Sequence, residues 1–259
     1  MRSGAIRNWV IAGIVLGPLS VAHVLAQPTT QPNPMPPTQP PTTAGTAPTS
    51  APVVPVNTAT PRGALKMLLT AIQTGDPEGI KKVIHTTTPV EEKMVEALSH
   101  RAVAENSFRQ AAVKAFGADA AKQLVGDAEA SNAVNMSQLD SAAETIEGDS
   151  AIVNSNNGGG EPVKLLKNNG QWQIPASEFS KATDPTKIQQ NIDDMNFAAN
   201  LIDQFAGEVN SGKYKTATEA GESIQLQMRA AMEKYTMQRA GGATTVPAPA
   251  ATSPNSGPG

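Results

Sequence analysis

The segment from Gly148 to Pro175 carries the clearest β-strand pattern in the chain. Near its end, Asn169-Gly170 can adopt the positive φ values that a tight two-residue hairpin turn requires. Trp172 and Ile174 then alternate with glutamines, as in a strand that buries one face. The pattern predicts three short strands joined by two turns, and residues 143–147 add a fourth strand before them.

Helix signals flank this segment on both sides. Thr60, Asp76 and Asp184 each stand directly before a proline, which pairs an N-cap with a first helical residue that needs no free N–H. Thr88 opens a capping box with Glu91. The predicted helices cover 61–74, a short stretch from 77, 89–116, 118–125 and a stretch from 185, whereas 127–141 is interpreted as a loop with some helix.

The C-terminal part of the chain has an apolar stripe at three- and four-residue spacing, which is typical of a helix buried along one face. Phe197, Leu201 and Phe205 widen this stripe, so we expect the helix to pack against two neighbours. A second stripe follows and predicts a last helix that returns antiparallel, which makes residues 180–239 a helical hairpin. The first stripe consists of Ile188, Ile192, Met195, Ala199, Ile202, Ala206 and Val209.

The two ends of the chain differ in composition from the part between them. No Lys, Arg, Asp or Glu occurs from Gln27 to Pro61 or from Ala240 to Gly259. Such segments carry too little apolar surface to offset the entropy lost on ordering. We therefore expect a disordered Pro/Thr-rich linker over 27–60 and a disordered tail over 240–259.

Residues 1–26 have the pattern of a secretory signal peptide. They begin with basic residues, continue with an apolar run from Trp9 to Leu16 and end in the small-residue site Val24-Leu25-Ala26. An uncleaved membrane anchor is the alternative, because the apolar stretch is nearly long enough to span a bilayer. After cleavage the protein would begin at Gln27, in the periplasm or outside the cell, with no membrane insertion. The chain has no cysteine, which removes disulfides and thiol chemistry together.

The middle of the chain resembles a known family. The stretch ALKMLLTAIQTGDPEGIKKVI from Ala64 to Ile84, followed by GDSAIV and PVKLLKNNGQWQI, resembles small exported bacterial domains of the nuclear-transport-factor-2-like superfamily. It is most similar to the lumazine-binding-like domains of unknown function. The resemblance covers Pro61 to Phe179.

The resemblance implies an α+β fold in which N-terminal helices pack on a small antiparallel β-meander and enclose a cone, with Trp172 inside it. The C-terminal helical hairpin over 180–239 and the long helical insert between Pro89 and Val125 lie outside the family pattern. A helical bundle capped by a β-meander is therefore the alternative fold.

Trp172 and His85 are the candidate pocket residues. His85 stands beside three threonines at a helix junction, where a hydroxyl-rich pocket could form, although a surface or capping histidine is the simpler interpretation. Isomerases of the superfamily pair an Asp with a Tyr, but Tyr214 and Tyr235 both fall in the C-terminal helices. That pair cannot be carried over, so no catalytic residue is assigned.

Other chemistry-bearing residues carry no recognisable site. His100 and the pair Asp193-Asp194 are interpreted as solvent-facing helix residues. Two isolated histidines do not make a zinc site, so neither a metal nor a cofactor is predicted. The mild net charge of −3 and the aromatic content of 3% disfavour nucleic acid as a partner.

Three functions remain open at this stage. The first is an exported, non-catalytic binding or interaction module for a small apolar ligand or a protein partner. The second is a structural or assembly protein of the cell envelope that acts through its C-terminal helices, with a homodimer as one form. The third, less favoured, is a cone-fold enzyme, because no nucleophile, base and orienting group occur together.

Overall fold

A computed structural model describes residues 56–154, 161–180 and 184–242. Within these ranges the chain forms eight helices and five strands and is mostly helical, which confirms the predicted α+β class. The predicted signal peptide, most of the predicted linker and the Gly-rich turn at 156–160 lie outside the described residues. The elements are α1 (Pro61–Thr74), α2 (Pro77–Val83), β1 (Ile84–His85), α3 (Pro89–Phe116), α4 (Ala118–Val125), α5 (Ala128–Ser141), β2 (Ala143–Glu147), β3 (Ser150–Asn154), β4 (Val163–Asn168), β5 (Gln171–Pro175), α6 (Ser177–Ser180), α7 (Pro185–Asn210) and α8 (Ala217–Gly242).

The local signals in the sequence act as expected. The Thr60 side chain accepts a hydrogen bond from the Gly63 N–H at 3.1 Å, and Thr88 forms its capping box with Glu91. Asn169 and Gly170 have φ values of 50° and 78°, so both turn residues take the left-handed conformation that the hairpin requires. These positions were predictable because each depends on residues no more than three apart.

The sheet is mixed, which corrects the prediction of a purely antiparallel one. Its strand order is β1-β5-β4-β3-β2, and β2 to β5 form the antiparallel meander. At the edge, β1 pairs parallel with β5, with Ile84 opposite Ile174. A two-residue strand produces no alternating pattern, so sequence reasoning assigned it to the end of the preceding helix.

The folded region begins upstream of its predicted start at Pro61. The backbone N–H of Trp172 points away from β4 and donates to the Thr58 carbonyl oxygen at 2.8 Å, and Thr58 is buried. The short β1 pairs only with Ile174 and Pro175 of β5. It therefore leaves the N–H of Trp172 without a strand partner, and the Thr58 carbonyl oxygen accepts that hydrogen bond. Residues 56–60 of the predicted linker therefore belong to the described fold.

Residues 128–141, interpreted as a loop with some helix, form the regular helix α5. Among the described residues of α5, Leu139 alone is fully buried, so the helix has no repeating apolar face that its sequence could show. Polar contacts with α1 hold its end instead: buried Lys66 pairs with Asp140, and Arg62 donates to the Asp140 carbonyl oxygen at 2.8 Å. The helix thus depends on tertiary contacts that its own sequence does not show.

The core lies between one face of the sheet and the N-terminal helices, and it extends onto α7. Ile192 of α7 joins the same apolar cluster as Met94 of α3. Further along both helices, Ala104 packs with Ala199 and Ile202. Ala111 and Ala112 of α3 pack with Phe205 and Val209 of α7, so the two long helices run parallel, side by side. Helix α7, which belongs to the predicted C-terminal hairpin, thus packs into the core of the region predicted over 61–179.

Candidate interaction groove between the last two helices

Trp172, the first predicted site residue, lies in the core. Its side chain is 3% exposed and packs in the cluster between the sheet and the helices. The ammonium of Lys167, its neighbour on β4, lies 5.8 Å from the centre of its ring. The ring therefore fills the space beneath the helices.

His85, the second predicted site residue, lies on β1, and its carbonyl oxygen accepts a hydrogen bond from Ala176 at 2.9 Å. Ile84 faces the core opposite Ile174, and successive strand residues point to opposite faces. Trp172 shares the face of Ile174, whereas His85 belongs to the other face. The structure places the two predicted residues on neighbouring strands but does not bring their side chains to one side of the sheet.

His100, interpreted as a solvated residue, links two helices. Its Nε2 lies 3.0 Å from Oδ2 of Asp203 on α7, and both side chains are partly exposed. The pair bridges α3 and α7 at the surface beside their apolar contact. The contact is therefore a surface bridge between the two helices.

The concave site of most interest is a groove of about 330 Å³ between α7 and α8. Side-chain contacts show that the two helices run antiparallel, since Gln204 reaches Gln227 near the turn and Asp194 reaches Arg239 near the far end. With α3 on its other side, α7 has the two neighbours that its wide apolar stripe predicts. The groove is lined by Phe197, Asn200, Leu201, Gln204, Ala231, Lys234, Tyr235 and Gln238.

An aromatic pair forms the apolar part of the groove. The rings of Phe197 and Tyr235 stack with their centres 4.2 Å apart and their planes 13° from parallel. The guanidinium of Arg239 lies 5.7 Å from the centre of the Tyr235 ring, within range of a cation–π contact. The stack is an apolar contact that joins the distal part of α8 to α7.

Asp194 closes the far end of the groove. Its Oδ1 accepts hydrogen bonds from the Tyr235 hydroxyl at 2.8 Å and from Arg239 at 2.7 Å. Asp194 is about half exposed, so it faces solvent as expected, but it also bonds two side chains of α8. Partial burial and the hydrogen bond to Asp194 raise the pKa of Tyr235, so its hydroxyl stays a donor.

No protein-family model, curated protein or solved structure matches this chain. The resemblance to the nuclear-transport-factor-2-like superfamily therefore stays a prediction from the sequence. Within residues 56–154, 161–180 and 184–242, no helix has the length and apolar character needed to cross a bilayer. The same residues contain no group of three His, Cys, Asp or Glu side chains placed to hold a metal ion.

A polar network fixes the turn between α7 and α8. Glu208 accepts hydrogen bonds from the Tyr214 hydroxyl, from Gln227 at 3.0 Å, from Lys213 at 2.9 Å and from Gln204 at 3.3 Å. Partial burial opposes ionisation of Glu208, but these hydrogen bonds outweigh it and lower the pKa of the carboxyl to about 2. Glu208 therefore stays ionised, held by four donors, at any ordinary pH.

The groove lining offers both apolar and polar groups for binding. It combines the aromatic stack with side-chain amides and one ammonium group, and its lining has no histidine or carboxylate. Sequence reasoning found Phe197 and Leu201 as extra apolar width but missed the groove. The groove depends on the hydrogen bond between Asp194 and Tyr235, which are 41 residues apart, so no local sequence pattern indicates it.

Proposed function

We propose that this protein is a non-catalytic interaction module that binds a peptide segment of a protein partner in the groove between α7 and α8. The observation that carries the proposal is the set of polar groups beside the aromatic stack. Within the described chain, the side chains of Asn200, Lys234 and Gln238 make no hydrogen bond or ion pair, although all three line the groove. They are free to bind a partner.

The chemistry of these groups fits a peptide. An amide side chain both donates and accepts hydrogen bonds, so Asn200 and Gln238 match the N–H and C=O of a peptide backbone. The rings of Phe197 and Tyr235 offer apolar surface at a small entropy cost. Lys234 adds one positive charge and favours an acidic residue in the peptide.

A small apolar ligand beneath the sheet has less support. In a cone-like arrangement α1 would cover the inner face of the meander, and α1 does contact β3 and β5. Leu65, Leu68 and Leu165 are fully buried there together with Trp172. These side chains fill the space that a ligand would need, so the groove is the better binding surface.

The proposed setting follows from the sequence alone. If residues 1–26 are a cleaved signal peptide, the partner is a protein of the periplasm or of the exterior. A role in envelope assembly would then act through the same helices. A second copy of this chain is the competing occupant, and the experiment below separates it from a different protein.

The test is site-specific photo-crosslinking in cells that make the protein. A benzophenone amino acid replaces Asn200 in the groove, and a matched variant carries it at Gln225, which is exposed on α8 outside the groove lining. We expect one crosslinked species from position 200, containing a peptide of another protein, and none from position 225.

The added Lys234→Glu substitution should reduce that crosslink, because it reverses the charge offered to an acidic peptide. A crosslink at position 200 to a second copy of the chain would overturn the proposal of a different protein partner. Equal crosslinking from both positions, or none from position 200, would overturn the groove as the binding surface.

A further inference from the structure

The two halves of α8 differ in burial. Ala217, Ala220 and Ile224 in the first half are buried in a cluster with Leu124 of α4. From Gln225 to Arg239, where side chains are described, none is fully buried. Local opening has its lowest cost where few apolar contacts must be broken, so the second half is the weaker one.

The first half also has the stronger polar attachment. Gln227 donates to Glu208 at 3.0 Å, to the Tyr214 oxygen at 3.0 Å and to the Ser223 oxygen at 3.2 Å. The side chain of Tyr214 is itself buried. This network ends at Gln227, and Met228 beside it packs against the same apolar cluster as Ile224.

Met228 still packs against the apolar cluster that contains Phe205 and Val209 of α7. Beyond Met228, the described contacts of α8 with α7 include the Phe197–Tyr235 stack and the two hydrogen bonds to Asp194, and these lie near the surface. The side chains of Asp194 and Arg239 are 47% and 41% exposed, so solvent and salt weaken their attraction. One carboxylate thus accepts both of these hydrogen bonds.

We infer that the distal half of α8, from Arg229 to Arg239, is a flap that swings away from α7 about the residues next to Met228, and that Asp194 is its clasp. Opening separates the aromatic rings and exposes Phe197 and Leu201 on α7. Opening breaks the backbone hydrogen bonds that cross the pivot in this continuous helix, whereas those further along the flap are internal to it and stay in place. This inference concerns motion alone and holds whether or not a peptide binds the groove.

The clasp can be removed with a matched control. Asp194→Asn loses the negative charge that holds Tyr235 and Arg239, whereas Asp193→Asn changes a neighbour whose Oδ1 accepts only from Gln189 on the same helix. Both variants make the same chemical change one residue apart. Any effect common to both is therefore unrelated to the clasp.

Hydrogen–deuterium exchange of the full chain, read by mass spectrometry, gives the first readout. In Asp194→Asn we expect the backbone amides of residues 229–232, whose hydrogen bonds cross the pivot, to exchange about threefold to tenfold faster, while 217–228 and 233–239 are unchanged. Asp193→Asn should match the wild type throughout. Equal exchange in the two variants, or faster exchange spread over the whole of α8, would overturn the clasp.

The fluorescence anisotropy of a dye at residue 237 gives a second readout that does not depend on amide exchange. The chain has no cysteine, so Met237→Cys provides a single labelling site. Raised salt should lower the anisotropy in the wild-type background and leave it unchanged in the Asp194→Asn background, where the clasp is already gone. Circular dichroism should show the same helix content in both. A loss of helix on adding Asp194→Asn would replace the flap with simple unwinding.

Discussion

Helix α7 has two faces that hold two neighbours in different ways. Towards α3, it presents Ala199 and Ile202, which are buried against Ala104 with hardly any exposed surface. Towards the distal half of α8, it presents Phe197 and Asp194, which remain partly open to solvent. One helix therefore belongs at once to a permanent core and to a separable surface.

The difference follows from the side chains at each contact. Alanines let α3 and α7 approach closely, so dispersion and apolar burial act along most of their length. Between α7 and the distal half of α8, the contacts include an aromatic stack and the hydrogen bonds of one exposed carboxylate, Asp194. Water can replace the hydrogen bonds of that carboxylate. We expect that breaking the first contact unfolds the protein, whereas breaking the second only uncovers the face of α7 that lines the groove.

Ile202→Ala tests the permanent face and should have the largest effect. Ile202 is 3% exposed, and its removal leaves a cavity between α3 and α7. We expect a loss of about 2–5 kcal/mol in the free energy of unfolding, measured by urea denaturation. A loss below about 1 kcal/mol would show that the α3–α7 contact is as loose as the α7–α8 contact.

Glu208→Gln tests the attachment of the first half of α8 and should have an intermediate effect. The variant replaces a charged acceptor of four hydrogen bonds with a neutral one, so we expect a loss of about 1–3 kcal/mol at neutral pH. The measurement is urea denaturation of both proteins over a series of pH values.

The stability that Glu208 contributes should change with pH in a known direction. The pKa of Glu208 is lowered from 4.5 to about 2, so its contribution is complete above pH 4.5 and is lost as the pH falls towards 2. The gap in stability between wild type and Glu208→Gln should therefore shrink below pH 4.5. A gap that is constant or grows on acidification would contradict the role assigned to the charge.

Phe197→Ala tests the separable face and should have the smallest effect on global stability. The side chain is only half-buried, and the stack with Tyr235 contributes about 0.5–1.5 kcal/mol beyond burial. We expect a total loss of about 1–2 kcal/mol, well below that of Ile202→Ala in the same denaturation series. Equal losses for the two variants would remove the distinction between the faces.

The sequence predicted the features that depend on near neighbours. The caps at Thr60 and Thr88, the turn at Asn169-Gly170 and the buried positions Trp172 and Ile174 all follow from patterns a few residues long. The wide stripe on α7 also predicted two neighbours, although it did not identify α3 as one of them. That choice depends on residues about one hundred positions apart.

The features that the sequence did not predict depend on distant partners. Thr58 is ordered by the backbone of Trp172, and the end of α5 is held by Lys66 through Asp140. The sequence around Asp194 indicates a solvent-facing carboxylate but not its hydrogen bond to Tyr235. A local pattern contains no information about such a partner, so the groove and its clasp could be found only in the folded chain.

The most direct test of the account is a pair of distance measurements on the full chain by double electron–electron resonance. Two introduced cysteines are the only labelling sites in a chain without cysteine. One pair joins exposed Ser107 on α3 to exposed Met237 on the distal half of α8, and the other joins Ser107 to Glu222 on the first half. The account predicts a single narrow distance distribution for the 107–222 pair and a broad or two-peaked one for the 107–237 pair. Equally narrow distributions for both pairs would contradict it.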